Sequence, residues 1–152
     1  MNNPSTETQM LIRKPAAEVF EAFINPEVTT NFWFTKSSGN LQQGQQTEWY
    51  WEMYNVSATI NVTEILPNKR IVFLWGEPAR TVEITFKSLS DESTYIVIKE
   101  SGYTETGEKL IDAIKDSTGG FTTVLDGLKA WLEYGIRLNL ISDKFPKEIS
   151  SH

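Results

Sequence analysis

A chain of 152 residues with a formal charge of −6 is long enough for one domain, and at that size it buries roughly 68 to 70% of the surface its unfolded form exposes. It has no cysteine and its one histidine is the terminal His152, which excludes disulfides, sulfur-based metal sites, Ser-His-Asp and Cys-His catalysis and two-histidine metal centres. The acidic balance, with no cluster of Lys and Arg to displace counterions from phosphates, opposes nucleic acid as a partner.

The opening MNNPSTETQMLIRK has no basic stretch running into an apolar one. No window approaches the ~18 uninterrupted apolar residues of a membrane span. The expectation is a soluble, cytoplasmic protein without membrane insertion. A first strand is predicted over Thr6 to Arg13, followed by a helix in KPAAEVFEAFINPEV. Pro15 suits its first turn, Val19, Phe20 and Phe23 keep helical spacing, and Asn25-Pro26 stops it. A second short helix or turn covers Glu27 to Phe34, and SSGNLQQGQQ reads as loop or weak strand.

From Thr47 to Gly102 the pattern changes to strands broken by turns. TEWYWEMYN leads into VSATINVTEI, where Val56, Ala58, Ile60 and Val62 alternate with polar residues, as in a half-buried antiparallel strand. IVFLW, RTVEITF and TYIVIKESG follow, separated by LPNKR, Gly76-Glu77-Pro78 and SDES. A short helix is expected over Glu108 to Lys115. A long one then follows, capped by Asp116 or Ser117, with Phe121, Val124, Leu125, Leu128 and Leu132 on one stripe. Its glycines weaken it in isolation, by up to ~1 kcal/mol each, so tertiary packing must hold it, and close approach to the sheet is the expected reason for Gly127. The tail 142–152 reads as polar and flexible. Sheet and helix must cover each other, which makes the chain a single α+β domain over 1–152 with its core at about 8–138.

Parity assigns the faces. In TEWYWEMY, Trp49 and Trp51 share a face with Thr47 and Met53, while Tyr50 lies with Glu48 and Glu52 on what reads as the solvent side. Extending Val82, Ile84 and Phe86 backward places Arg80 inward, and extending Ile96 and Ile98 forward does the same for Glu100. An inward charge needs a partner or an opening. Glu64 also falls inward, and a bulge at Glu64-Ile65 or pairing with Arg70 is expected. Ile71, Phe73 and Trp75 share a face, but Val72 and Leu74 are apolar too, so periodicity leaves that strand open.

Four segments in order, IRKPAAEVFEAFINPEVTTNFW, VTEILPNKRIVFLW, TYIVIKESGY and GGFTTVLDGLKAWLEYG, resemble the activator-of-heat-shock-protein-90-ATPase-like domains of the START-like, birch-pollen-allergen-like superfamily. The likeness runs from about Thr8 to Leu138. It departs at Phe121, where the family position is often tryptophan, and at Gly44-Gln45 in place of Gly-Gly. The resemblance implies a helix-grip fold: a bent antiparallel sheet around a long C-terminal helix, with two short helices after the first strand. It favours Trp75 as inward. It also implies a cavity between sheet and helix of the kind that holds lipids, polyketides or flavonoid-like phenolics. The co-chaperones of the family carry a further N-terminal domain, so chaperone activation is not carried over.

The ligand-facing candidates are therefore Trp49, Trp51, Trp75, Arg80, Phe86, Ile98, Glu100, Phe121 and Leu125, with no catalytic residue, metal or cofactor assigned. The expected partner is a hydrophobic or phenolic small molecule. The alternatives are a chaperone-associated stress-response module, with a chaperone as partner, or a cyclase-like or aromatase-like enzyme in which Glu100 would be the titrating group.

Overall fold

The computed structural model describes residues 3–149, so His152 and the end of the expected tail lie outside the described residues. The strands are Ser5–Ile12 (β1), Lys36–Ser37 (β2), Gln46–Trp51 (β3), Val56–Leu66 (β4), Arg70–Trp75 (β5), Arg80–Ser90 (β6) and Ser93–Ser101 (β7). They form one antiparallel sheet in the order β1-β7-β6-β5-β4-β3-β2. The two-residue β2, at the start of the segment read as loop or weak strand, adds an edge beside β3. Every other strand pairs with a neighbour through a register that sets its alternating residues on the concave or the convex face. Across one concave row, Val62 stands opposite Phe73, Phe73 opposite Val82, Val82 opposite Glu100 and Glu100 opposite Thr6.

Between β1 and β2 lie helices Ala16–Ile24 (α1) and Pro26–Thr29 (α2). The Asn25 side chain caps α2 by accepting from the Glu27 N–H at 3.0 Å, and Pro26 takes its first turn. Phe20 and Phe23 of α1 meet Phe86 edge-on at 5.4 and 5.9 Å between centroids, closing one end of the core. Each such fully buried ring or branched chain is worth about 1.5–3 kcal/mol of transfer free energy.

The sequence pattern predicts two helices after residue 107, and the structure has one. Gly107–Tyr134 (α3) is continuous, with Thr106 rather than Asp116 or Ser117 at its N-cap. Its first turns are largely exposed, and the buried stripe begins at Phe121 and continues through Val124, Leu125 and Leu128. Asp116, Ser117 and the Gly119-Gly120 pair, which read as a boundary, lie inside the one helix. Gly135, at φ 66, ends α3 in the left-handed conformation of an αL cap: its N–H donates to the Trp131 carbonyl, and that of Ile136 to Ala130. Gly127 is indeed a close-approach glycine, but against a loop rather than the sheet. A Cβ there would stand 3.1 Å from Phe32 Cβ, and Leu140 from the following helix is its next neighbour.

Two further readings change, at β3 and in the tail, and the strand left open shows burial on both faces. β3 stops at Trp51 and passes into a 3₁₀ turn, Glu52–Tyr54, so the parity of Met53 and Glu52 no longer follows the strand. Val72 is buried along with Ile71 and Phe73, because both faces of β5 are partly covered. The tail is helical at Leu140–Lys144 (α4), and the Tyr54 hydroxyl donates toward the carbonyls of Ile141 at 3.1 Å and Phe145 at 2.7 Å. At Glu64 the register shifts between Val62 and Glu64, and the side chain pairs with Arg70 at 2.9 Å. No helix among the described residues is long and apolar enough to cross a membrane.

Candidate functional site

The concave parity of β6 and β7 carries two ionic side chains to the end of the sheet nearest the middle of α3. Glu100 is 1% exposed, a position a carboxylate tolerates only when its oxygens are met. They are. Trp75 Nε1 donates to Oε2 at 2.8 Å, while the Tyr103 and Ser117 hydroxyls donate to Oε1 at 2.8 and 2.6 Å. Arg80 stands 3.7 Å from Oε1, donates to Glu105 at 2.6 Å, and lies with its guanidinium carbon 4.4 Å from the centre of the Tyr103 ring.

These contacts fix the local electrostatics. Burial, more than the adjacent Glu100 carboxylate, raises the Tyr103 phenol above its ordinary range, while the hydroxyls of Ser117 and Thr6 oppose the rise. Tyr103 is thus a donor at neutral pH. Glu105 is held below the usual carboxylate range, first by its own backbone N–H and then, against desolvation, by Arg80.

Two spaces open beside this network. A cleft of about 360 Å³ is lined by Trp75, the Gly76-Glu77-Pro78 turn, Arg80, Glu100, Glu105 and Ser117 among others. An apolar space of about 230 Å³ lies under Trp33, Trp75, Phe121, Val124 and Ile141, with Asp116 and Ser117 at its edge. Trp75 and Ser117 line both, so the two meet at the residues that hold Glu100. Together they fall in the ~300–1,000 Å³ range of small-molecule pockets. A third, wider groove of about 690 Å³ is lined by Trp51, Met53, Tyr54, Val56, Phe145 and Lys147, and shares Asp116 and Ile141 with the apolar space.

Of the residues singled out from sequence, the fold brings Trp75, Arg80, Glu100 and Phe121 together around the two spaces, and Trp51 lines the outer groove. Trp49, Phe86, Ile98 and Leu125 are packed in the core and line neither space. Trp49 stacks on Phe34 at 4.4 Å and sits 4.8 Å from Trp33; its indole is filled in from every side the sheet leaves open. Ser117, Tyr103, Glu105, Trp33 and Ile141 were missed. Ser117 looked like a helix cap, and Tyr103 and Glu105 follow the last strand in a loop whose path no periodicity encodes. Trp33 stood in the second helical segment with no parity to orient it. Among the described residues no group of three or more acidic or histidine side chains converges as a metal site.

Residues 13–133 match the model of the family described as Activator of Hsp90 ATPase homolog 1-like protein. The chain belongs to that family. Among solved structures, this Activator of Hsp90 ATPase homolog 1-like chain is similar to a protein from Staphylococcus saprophyticus, at 29% identity and TM-score 0.77 over 89% of this chain and 96% of that one. It shares its fold with Aha1 from Colwellia psychrerythraea, solved as a dimer, at 16% identity and TM-score 0.73 over 87% and 98%. It also shares it with a protein of the dynemicin biosynthetic locus, at 19% identity and TM-score 0.78, covering 90% of this chain and 49% of that longer one. No curated protein matches the sequence. The helix-grip architecture implied by the four sequence segments is the one these relatives share.

Proposed function

We propose that this protein binds a hydrophobic or phenolic small molecule, of lipid, polyketide or flavonoid-like character, in the two spaces between the sheet and α3. The observation that carries the reading is the junction at Trp75 and Ser117. Both line the polar cleft and the apolar space, and both donate to the buried Glu100. An apolar wall with a few placed polar groups is what a small-molecule site requires. A fold neighbour from a biosynthetic locus is a further reason to look among biosynthetic small molecules. The test is a screen of apolar and phenolic compounds by chemical-shift perturbation, with the Trp75 indole N–H as reporter. Shifts at Trp75, Phe121 and Ser117 are expected. Shifts confined to the convex face, or none, would overturn the reading.

A second reading, a chaperone-associated interaction module, is favoured by the family description and by three exposed apolar side chains at and just after the end of α3. Tyr134 is 71%, Ile136 51% and Leu138 44% exposed. Apolar groups grouped this way mark contact surfaces. Failure of the purified chain to bind Hsp90 in a titration would remove it.

A further inference from the structure

The charges lining the two spaces decide more than the presence of a pocket. Among the described residues that line either space, Glu77, Glu100, Glu105 and Asp116 are carboxylates and Arg80 is the one cation. That cation is engaged by Glu105 at 2.6 Å and by Glu100 at 3.7 Å. The other side-chain donors at the junction, Trp75 Nε1–H and the Ser117 hydroxyl, already donate to Glu100, and the Thr104 hydroxyl in the cleft wall is neutral. The wall therefore offers a ligand negative potential and more acceptors than donors. Among the described residues, Trp75 Nε1–H is the one donor to Oε2, and a carboxylate oxygen accepts from more than one donor. The apolar space adds the rings of Trp33, Trp75 and Phe121, which lie within 5.9 to 6.1 Å of one another. Aromatic faces carry negative quadrupole potential and attract cations. Carboxylates and ring faces act in the same direction.

We infer that the ligand is an aromatic or apolar amine, cationic at neutral pH, whose body lies against Trp33, Trp75 and Phe121 and whose ammonium group donates to Glu100 and Glu105. The inference rests on the small-molecule reading above and narrows it, since carboxylate-bearing ligands such as free fatty acids are rejected by the same wall. In a partly solvated cleft a charge pair is worth up to about 1 kcal/mol, or about fivefold in affinity. A cation gains that factor over a neutral body and an anion loses it, so the two differ by about 25-fold.

The test is calorimetric titration of the full chain with four probes on one ring system, the three substituted ones at the same ring position: 2-naphthylmethylamine, 2-naphthol, 2-naphthoate and naphthalene. The amine is expected to bind about fivefold tighter than naphthol and about 25-fold tighter than naphthoate, with an affinity that falls as salt is added. Glu105→Gln changes a side chain that is 31% exposed and so leaves the core intact. It is expected to free Arg80 and shrink the preference for amine over naphthoate several-fold. Naphthoate or naphthalene binding as tightly as the amine, or a Glu105→Gln protein with an unchanged preference, would overturn the inference and leave the pocket reading standing. Binding of none of the four would overturn both.

Discussion

Replacing Glu100 asks whether a carboxylate, and not merely a side chain of that shape, organises the mouth of the site. Three donors, Trp75 Nε1–H, the Tyr103 hydroxyl and the Ser117 hydroxyl, reach it at 2.6 to 2.8 Å. In Glu100→Gln one oxygen becomes an amide NH₂. An indole N–H can only donate, so the amide must turn its oxygen to Trp75 and its NH₂ to Tyr103 and Ser117, whose hydroxyls rotate to accept. All groups stay satisfied, but bonds to a charged acceptor become neutral ones, at a cost of about 1–2 kcal/mol. Glu100→Leu leaves no acceptor. Each stranded donor costs about 1–3 kcal/mol, reduced where water from the cleft takes over, and the net loss is about 3–5 kcal/mol. Urea denaturation followed by tryptophan fluorescence measures both, provided the slope with denaturant is unchanged. Wild-type stability in Glu100→Leu would refute the argument, because burying the carboxylate would then cost as much as its partners return. Equal losses in the two variants would refute it as well, since the order rests on the one acceptor that Gln keeps.

Two glycines of α3 make an opposed pair. Gly120 has no atom within 4 Å of an added Cβ, so Gly120→Ala is expected to stabilise the helix by up to ~1 kcal/mol, or about 2–4 °C in Tm, while placing a methyl in the apolar space. Gly127→Ala sets a methyl 3.1 Å from Phe32 Cβ, and the strain of about 1–3 kcal/mol exceeds the helix gain; a thermal melt in which Gly127→Ala is as stable as Gly120→Ala would contradict this. A third expectation concerns acid. Burial opposes ionisation of Glu133, yet the Arg13 backbone N–H at 2.8 Å and Lys129 Nζ at 2.7 Å outweigh it and hold the carboxyl below its ordinary range. Its contribution is therefore present above the unfolded value near ~4.3 and lost as pH falls through the lower folded value. Glu133→Gln is expected to be less stable at pH 7 and to decline less steeply between about pH 5 and pH 2; a decline as steep as the wild type's would count against the assignment.

Parity read through Val82, Ile84 and Phe86, and through Ile96 and Ile98, placed Arg80 and Glu100 on the concave face, where the structure has them. The same rule put Trp49 and Trp51 on one wall but could not separate them. Trp49 is sealed by Phe34 and Trp33, whereas Trp51, at the end of β3, lines an open groove. Parity states which face a side chain leaves by, and says nothing of what lies across from it.

Local regularities, period two in the strands, helical spacing in α1 and the buried part of α3, and the turn residues between them, are properties of neighbouring residues, and the sequence by itself determined them. The junction around Glu100 is of another kind. Its members, Trp75, Arg80, Glu100, Tyr103, Glu105 and Ser117, come from three strand ends, a loop and the third turn of a helix. Only the antiparallel register and the crossing of α3 over the sheet decided that they would meet, because donor–acceptor distances below 3 Å are fixed by packing between elements and not by spacing within them.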